Sequence, residues 1–431
     1  MKIAIVGTGY VGLVTAAVFA KLGHRVSAVD IDEKKIKALK ANKIPFFEPG
    51  LKAIVSEGVK KSYLKFTTSY KEALGGAQAV FICVGTPSKA NGGYDLSFVF
   101  SAAKEIAKAL KSYSVIVIKS TVPPGTTAQI REIIQNNTHI SFDLASCPEF
   151  LREGSAVEDS FHPARIVIGT ESEKAKSLLL KIHQAIEAPR VICDIKSAQL
   201  IKYAANAFLA TKISFINAIA ILCDKIGADI LKVEEGLGLD PRIGKSFLQA
   251  GLGYGGSCFP KDIQALIVFA KRQGYDFDFL KQVELINKHQ IDYLISKLRK
   301  VFGGELKGRR LTILGLSFKP QTDDLRESRA ILLIKELKKE RVKIKAHDPV
   351  AVPQIKKLAK VLNIKCYKNV YESIKNSDVL ILVTEWPIYR KLDFVKVKKL
   401  MRQPILIDGR NFLEKEKLKK IGFIYEGIGS R

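Results

Sequence analysis

Gly7-Thr8-Gly9-Tyr10-Val11-Gly12 is the stretch whose reading decides the fold. Ahead of it, Ile3-Ala4-Ile5-Val6 is a short apolar run of strand character; behind it, residues 13–22 read as a helix. Gly23-His24 ends that helix, and Arg25-Val26-Ser27-Ala28-Val29-Asp30 reads as a second strand closing on an acid. A GxGxxG pattern alone is weak. Placed between a strand and a helix, with an acid about 20 residues on, it marks the first βαβ unit of a doubly wound sheet that holds a dinucleotide. Gly7, Gly9, Tyr10, Val11 and Gly12 are therefore cofactor candidates. Gly9 lets the backbone approach the pyrophosphate, and the helix N-terminus supplies donors and a positive dipole.

Asp30 bears on which nicotinamide cofactor is held. Its carboxylate can accept from the ribose hydroxyls of NAD. Against a 2′-phosphate, each like-charge pair at about 4 Å would cost on the order of 4 kcal/mol at an effective dielectric of 20. Lys34 and Lys35 are near enough in sequence to offset that, and NAD remains the favoured cofactor, with Lys35 a candidate contact. The strand–turn pattern continues through Val84-Gly85-Thr86-Pro87 and Ser120-Thr121-Val122-Pro123. Ligands of open α/β sheets lie at such carboxyl ends, so Thr86 and Thr121 are candidate contacts, against a reading as turn residues alone.

A second stretch carries different chemistry. Gly255-Gly256-Ser257-Cys258-Phe259-Pro260-Lys261-Asp262 sets a thiol among glycines, with a cation three residues on and a carboxylate four on. A redox cofactor together with a nucleophilic thiol suits an enzyme that carries an aldehyde on to an acid. Between the two stretches, residues 197–227 read as one long helix on which Lys202 and Asn206, four apart, share a face with Asn217 close by. The helix is too apolar around most of its circumference to lie on a surface. From Gly308 onward, strands expected at 310–316, 342–346, 378–384 and 404–408, with a helix at 328–340, form a second Rossmann-like layer. Its first turn, Gly315-Leu316-Ser317-Phe318-Lys319, lacks the full glycine pattern, which points to a different nucleotide.

The fold class is thus α/β: two Rossmann-like doubly wound domains joined by a long central helix or helical domain. The divisions are 1–194 for cofactor binding, 195–300 for a central helical domain with the cysteine loop, and 301–431 for the second nucleotide. At 431 residues, about three domains are expected. The chain begins directly on a strand and its apolar runs have strand length, so neither a signal peptide nor a membrane association is expected, and a cytoplasmic location follows. The six cysteines show no two-residue spacing, so no metal site and no disulfide framework is indicated; Cys83 and Cys223 read as buried small hydrophobes. A formal charge of +27 raises a nucleic-acid reading. The lysines are scattered over helices without a basic tail or an aromatic-interleaved motif, so no nucleic-acid partner is expected. The positive field would speed encounter with a dianionic nucleotide sugar.

With those residues in place, the chain resembles the UDP-glucose 6-dehydrogenase family of nucleotide-sugar dehydrogenases over its whole length. The resemblance rests on Gly7 to Gly12, Val84 to Pro87, Ser120 to Pro123 and Pro148-Glu149-Phe150-Leu151-Arg152-Glu153-Gly154. It continues in Lys202-Tyr203-Ala204-Ala205-Asn206, Gly253 to Asp262, and Phe318-Lys319 with Asp323-Asp324-Leu325-Arg326-Glu327-Ser328. It implies a four-electron oxidation of a sugar's primary alcohol to a carboxylate with two NAD, through a Cys258 thiohemiacetal and thioester. By the same resemblance, Lys202 and Asn206 stabilise the reacting oxygen, Asp262 and Lys202 flank a water, Glu149 is the base for thioester hydrolysis and Thr121 orders water. Glu153 lies near the nicotinamide ribose, Arg326 on the cofactor side, and Lys261 joins the cofactor set. Glu149, Phe150, Leu151, Arg152, Glu153, Lys202, Asn206, Phe247, Leu248, Gln249, Ala250, Gly251, Gly255 and Lys319 face the nucleotide sugar. Arg242 matches an arginine that reaches the sugar of a neighbouring subunit, which implies at least a homodimer. The resemblance makes 195–300 the dimerisation domain and 301–431 the UDP-sugar-binding domain. UDP-glucose is the expected substrate, with UDP-N-acetylglucosamine, UDP-N-acetylmannosamine and GDP-mannose as alternatives. Outside the family stand a two-electron hydroxyacid dehydrogenase, against which Cys258 argues, and a non-catalytic basic binding protein.

Overall fold

The computed structural model describes residues 1–89 and 91–430, without the side chains of residues 352–354, 356 and 357. The chain separates into two units: Met1–Ala205 with Gln264–Gln273, and Asn206–Ile263 with Gly274–Arg431.

The first unit is built on one sheet of eight strands: β1 (Lys2–Val6), β2 (Arg25–Val29), β3 (Leu64–Thr67), β4 (Ala79–Ile82), β5 (Ser114–Ile118), β6 (Phe142–Ser146), β7 (Ile166–Gly169) and β8 (Arg190–Cys193). Their order is β3-β2-β1-β4-β5-β6-β7-β8, parallel throughout except where β6 meets β7 at Ser146 and Gly169. β4 and β5 are apolar or small throughout and buried at every residue, as strands covered on both faces must be. The helix Tyr10–Lys21 is buried along most of its length against that sheet's core, in company with Leu39, Val55 and Phe81. Strand order reverses between β1 and β4, so the loops after β1, β4 and β5 open at the switch point where such sheets take their ligands.

The second unit repeats the plan with six strands: β9 (Arg310–Leu314), β10 (Lys343–His347), β11 (Lys365–Tyr367), β12 (Val379–Leu382), β13 (Ile405–Asp408) and β14 (Ile424–Gly427). All are parallel in the order β11-β10-β9-β12-β13-β14. The two doubly wound layers expected from the sequence are both present. Their first turns differ in one instructive way. In the first sheet, the Thr8 N–H and hydroxyl both donate to Asp30 at the end of β2, each at 2.8 Å. In the second, Asp348 after β10 accepts from the Leu316 and Ser317 N–H groups at 2.8 and 3.0 Å, but it is 2% exposed. An acid that buried has no face left for a ribose, and the loop runs on to Ser328 before the helix Arg329–Lys339 begins. The second layer therefore lacks a dinucleotide turn.

The long helix spans Ile195–Ile226. It is long and apolar enough to cross a membrane, the one such helix among the described residues, although the sequence reading found only strand-length apolar runs. The difference lies in Ser, Asn and Thr residues that break the apolar run in sequence without breaking the helix. Its buried positions include Lys202, Asn206, Ser214, Asn217 and Asp224, polar groups held within protein.

Candidate active site

The glycine turn is shaped for close approach. A Cβ on Gly12 would lie 1.9 Å from the Gly7 carbonyl oxygen, so only glycine lets the helix pack into the turn. Gly9 has open space around it, and no side chain caps the helix Tyr10–Lys21 that follows. Its first N–H groups are thereby left to a ligand, which fits the pyrophosphate of a dinucleotide. Asp30 Oδ2 also meets the Lys35 ammonium at 2.9 Å, and Oδ1 accepts from the Asp32 N–H at 3.1 Å. Burial pushes the Asp30 carboxyl up, but Lys35 and the backbone donors outweigh it and hold it below its ordinary value. Asp30 is an anion at neutral pH, and Lys35 is engaged with it. Of the two loop threonines, Thr86 is buried and Thr121 half-buried, and the Ser120 hydroxyl ties the second loop to the first by donating to Val84 O at 2.7 Å.

After β6 the same unit brings Glu149 and Lys202 together: Nζ to Oε1 is 3.0 Å, with side-chain exposures of 5% and 7%. The other Glu149 oxygen accepts from the Leu151 N–H at 2.6 Å. Phe150 lies under two cations, Arg165 at 3.6 Å and Lys202 at 5.5 Å from its ring centre. Arg152 is turned to Asp159, 2.5 Å away, and Glu153 is half-buried. A residue the sequence reading passed over organises this loop. Buried Glu48 accepts from the N–H groups of Gly154 and Ala156 at 2.6 and 2.7 Å, and from the Tyr10 hydroxyl. Burial, then Glu48, raises the Tyr10 phenol far above its ordinary value, so it stays a donor. Tyr10, expected as a cofactor contact, thus also fastens the loop that carries Glu149. Glu48 sits in Phe46-Phe47-Glu48-Pro49, where an acid among aromatic residues was the available signal.

In the second unit Cys258 immediately precedes the helix Phe259–Arg272, and its carbonyl accepts the Asp262 N–H at 2.8 Å. A helix N-terminus favours negative charge, which suits a sulfur nucleophile. The thiol is half-buried, with the Ser257 hydroxyl 3.6 Å from Sγ. By contrast Cys83 is buried and its thiol pushed up to about 12 by desolvation, which leaves it inert. Asp262, 2% exposed, holds both Asn206 Nδ2 and Lys261 Nζ at 2.6 Å. Three expected residues are thereby gathered on one carboxylate.

A cavity of about 480 Å³ opens in the same unit, lined by Phe247, Gln249, Gly255, Phe318, Lys319 and Arg410 among others. Phe247 stands at φ 66°, a strained conformation for an aromatic residue. The intervening Leu248 and Ala250 point the other way and belong to the hydrophobic core. The Ala250 N–H goes to Glu234 and the Gly251 N–H to Asn217, at 2.5 and 2.8 Å. Of the expected substrate stretch, then, alternate residues face the cavity and the rest support it. Arg410 was not singled out in the sequence; it follows β13 in Asp408-Gly409-Arg410 and meets Glu385 at 3.3 Å. Arg326 and Arg242 are exposed and paired within their own loops, to Asp324 and Asp240, both at 2.6 Å.

Comparison with known proteins gives the family. Three domains of the UDP-glucose/GDP-mannose dehydrogenase family match in order: the NAD binding domain over residues 1–187, the central domain over 196–289 and the UDP binding domain over 312–415. The chain belongs to this family. It is 45% identical to UDP-glucose 6-dehydrogenase TuaD of Bacillus subtilis, over 99% of this chain and 93% of that one. It is 43% identical to UDP-glucose 6-dehydrogenase of Rhizobium meliloti, over 100% and 99%. A UDP-glucose dehydrogenase from the archaeon Pyrobaculum islandicum has the same fold, with a TM-score of 0.93 and 37% identity over 100% of this chain and 98% of that one. The family expected from seven motifs is the family found. The chain is an NAD-dependent dehydrogenase of this family, and its substrate is a nucleotide sugar.

Proposed function

We propose that the enzyme oxidises UDP-glucose to UDP-glucuronate, and that Cys258 carries the sugar between two oxidations. The observation that carries this reading is the placement of Cys258: a half-buried thiol at a helix N-terminus, following directly on the loop that walls a nucleotide-sized cavity. Bound NAD supplies the hydride acceptor for each oxidation. Once the primary alcohol is an aldehyde, the Cys258 thiolate adds to its carbon, the carbonyl oxygen takes a proton, and a thiohemiacetal results. Loss of a second hydride and of the hydroxyl proton leaves a thioester. Water then attacks the thioester carbonyl, the C–S bond breaks, and carboxylate and thiol are released. Lys202 stabilises the developing oxyanion, and Glu149, paired with the Lys202 ammonium at 3.0 Å, takes the proton from that water.

The choice of UDP-glucose is supported by the relatives of 45% and 43% identity, which bear that name. Thr121, Thr86, Glu153, Lys261 and Arg326 are assigned to the cofactor side; Phe247, Gln249, Gly255 and Lys319 to the nucleotide sugar. The functional division is 1–194, 195–300 and 301–431. A homodimer is supported by Phe208, Phe215, Leu222 and Ile226, exposed by 50–69% at one-face spacing on the long helix, and by the exposed Arg242. The setting is the cytoplasm. Turnover of UDP-glucose, UDP-N-acetylglucosamine, UDP-N-acetylmannosamine and GDP-mannose under one condition tests the substrate. The highest kcat/KM belongs to UDP-glucose; a higher value for another sugar overturns that choice.

A further inference from the structure

Arg329 is buried where a guanidinium is disfavoured in several ways. It is 4% exposed, and burial, with Arg410 nearby, pulls its pKa down to about 10. It is the first residue of the helix Arg329–Lys339, whose positive end repels a cation. Among the described residues it meets backbone carbonyls in place of a carboxylate: Nε donates to Leu252 O at 2.7 Å and Nη2 to Asn287 O at 2.6 Å. Without it the Leu252 and Asn287 carbonyls lose a donor inside the protein, a cost to stability. Burial by itself gives no reason for a guanidinium at this position.

Its contacts do. Asn287, whose carbonyl Arg329 holds, accepts the Tyr254 N–H at 2.8 Å and donates to the Tyr254 carbonyl at 3.1 Å. The Gly256 N–H donates to Arg326 O at 3.1 Å. Between them, a Cβ on Gly255 would lie 2.1 Å from Glu327 O, so the loop is pressed against this segment. Residues 252, 254 and 256 are thus gripped at alternate positions by Arg329, Asn287 and the Arg326 carbonyl. Two residues later comes Cys258, and Gly253, Tyr254 and Gly255 line the nucleotide cavity.

We infer that Arg329 is a positioning residue for Cys258. Its two hydrogen bonds fix the loop so that the thiol and the cavity walls keep one relation to each other. The inference rests on reading Cys258 as the nucleophile; it adds the residue that aims it. Two carbonyls at an angle suit the planar fork of arginine, whereas a lysine in its place reaches one of them.

The test uses full-length Arg329→Met and Arg329→Lys beside the unaltered enzyme. Four readouts are taken: Tm, kcat and KM for UDP-glucose, KM for NAD, and the iodoacetamide alkylation rate of the Cys258 peptide by mass spectrometry. Arg329→Met lowers Tm modestly, because two buried carbonyls lose a donor, leaves KM for NAD unchanged, alkylates faster at Cys258, and loses roughly 10- to 100-fold in kcat, the scale of a misplacement near 1 Å. Arg329→Lys falls between. Unchanged kcat and alkylation in Arg329→Met overturn the inference. So does a loss of activity that only tracks a loss of folded protein. Should Arg329→Met not fold, Arg329→Lys decides on the same readouts. The alkylation arm needs no turnover, so an enzyme inactive on UDP-glucose would count against the substrate reading while leaving this inference to stand or fall separately.

Discussion

Lys202 Nζ lies 3.0 Å from Glu149 Oε1, and both side chains are almost fully buried. A buried pair of this kind contributes little net stability while intact, yet breaking it strands a charge, at about 3–5 kcal/mol. In the proposed reaction the pair has a use: an ammonium to stabilise an oxyanion and a carboxylate to take a proton.

Glu149→Gln should therefore lose about 3 kcal/mol in urea unfolding, because it removes the carboxylate charge 3.0 Å from the buried Lys202 ammonium. The double variant Lys202→Met with Glu149→Leu recovers most of that stability but not activity. A double variant no more stable than Glu149→Gln would remove the charge argument.

Asp30→Ala removes the carboxylate proposed to accept from the ribose and releases Lys35 from its 2.9 Å pairing. KM for NAD rises by roughly 10- to 100-fold, the scale of a hydrogen bond to a charged group. KM for NADP rises less or falls. Equal losses for both cofactors, measured by initial rates, would take Asp30 out of cofactor selection.

Glu234 offers a pH dependence. Desolvation lifts its carboxyl to about 7 while it accepts the Ala250 N–H at 2.5 Å. Between the ordinary carboxylate value and about 7, the folded state binds the proton more tightly than the unfolded one, so stability falls as pH rises through that window. Glu234→Gln keeps the acceptor without the charge. Its Tm advantage over the unaltered enzyme should be larger at pH 8 than at pH 5; a constant difference contradicts the assignment.

Much of this was legible in the chain because the chemistry sits on short motifs with fixed neighbours. The strand, glycine turn, helix and acid from Ile3 to Asp30 define a dinucleotide turn through local geometry alone, and that geometry is present. What escaped depends on contacts distant in sequence. Glu48 reaches Gly154 and Ala156 across more than a hundred residues, and its own neighbourhood carries no reactive group. Arg329 was not singled out in the sequence, and its burial with bonds to the Leu252 and Asn287 carbonyls is what marks it. The substrate stretch from Phe247 to Gly251 was read as one binding loop, but only Phe247 and Gln249 line the cavity while Leu248 and Ala250 fall to the core. Asp348 stands where Asp30 stands in the first sheet, yet its burial gives it an internal role that spacing could not reveal.

Cys258→Ser should still bind NAD, since the turn, Asp30 and Lys35 lie in other segments of the chain, and should form no UDP-glucuronate. Isothermal titration calorimetry with NAD checks the first, and product chromatography the second. Acid formation near the rate of the unaltered enzyme would end the covalent account.

The ratio of NADH formed to UDP-glucose consumed, with sugar limiting and NAD in excess, decides whether one thiol carries the sugar between two oxidations. Two NADH per sugar are expected, with UDP-glucuronate as the product. One NADH per sugar, with the aldehyde released, would contradict it.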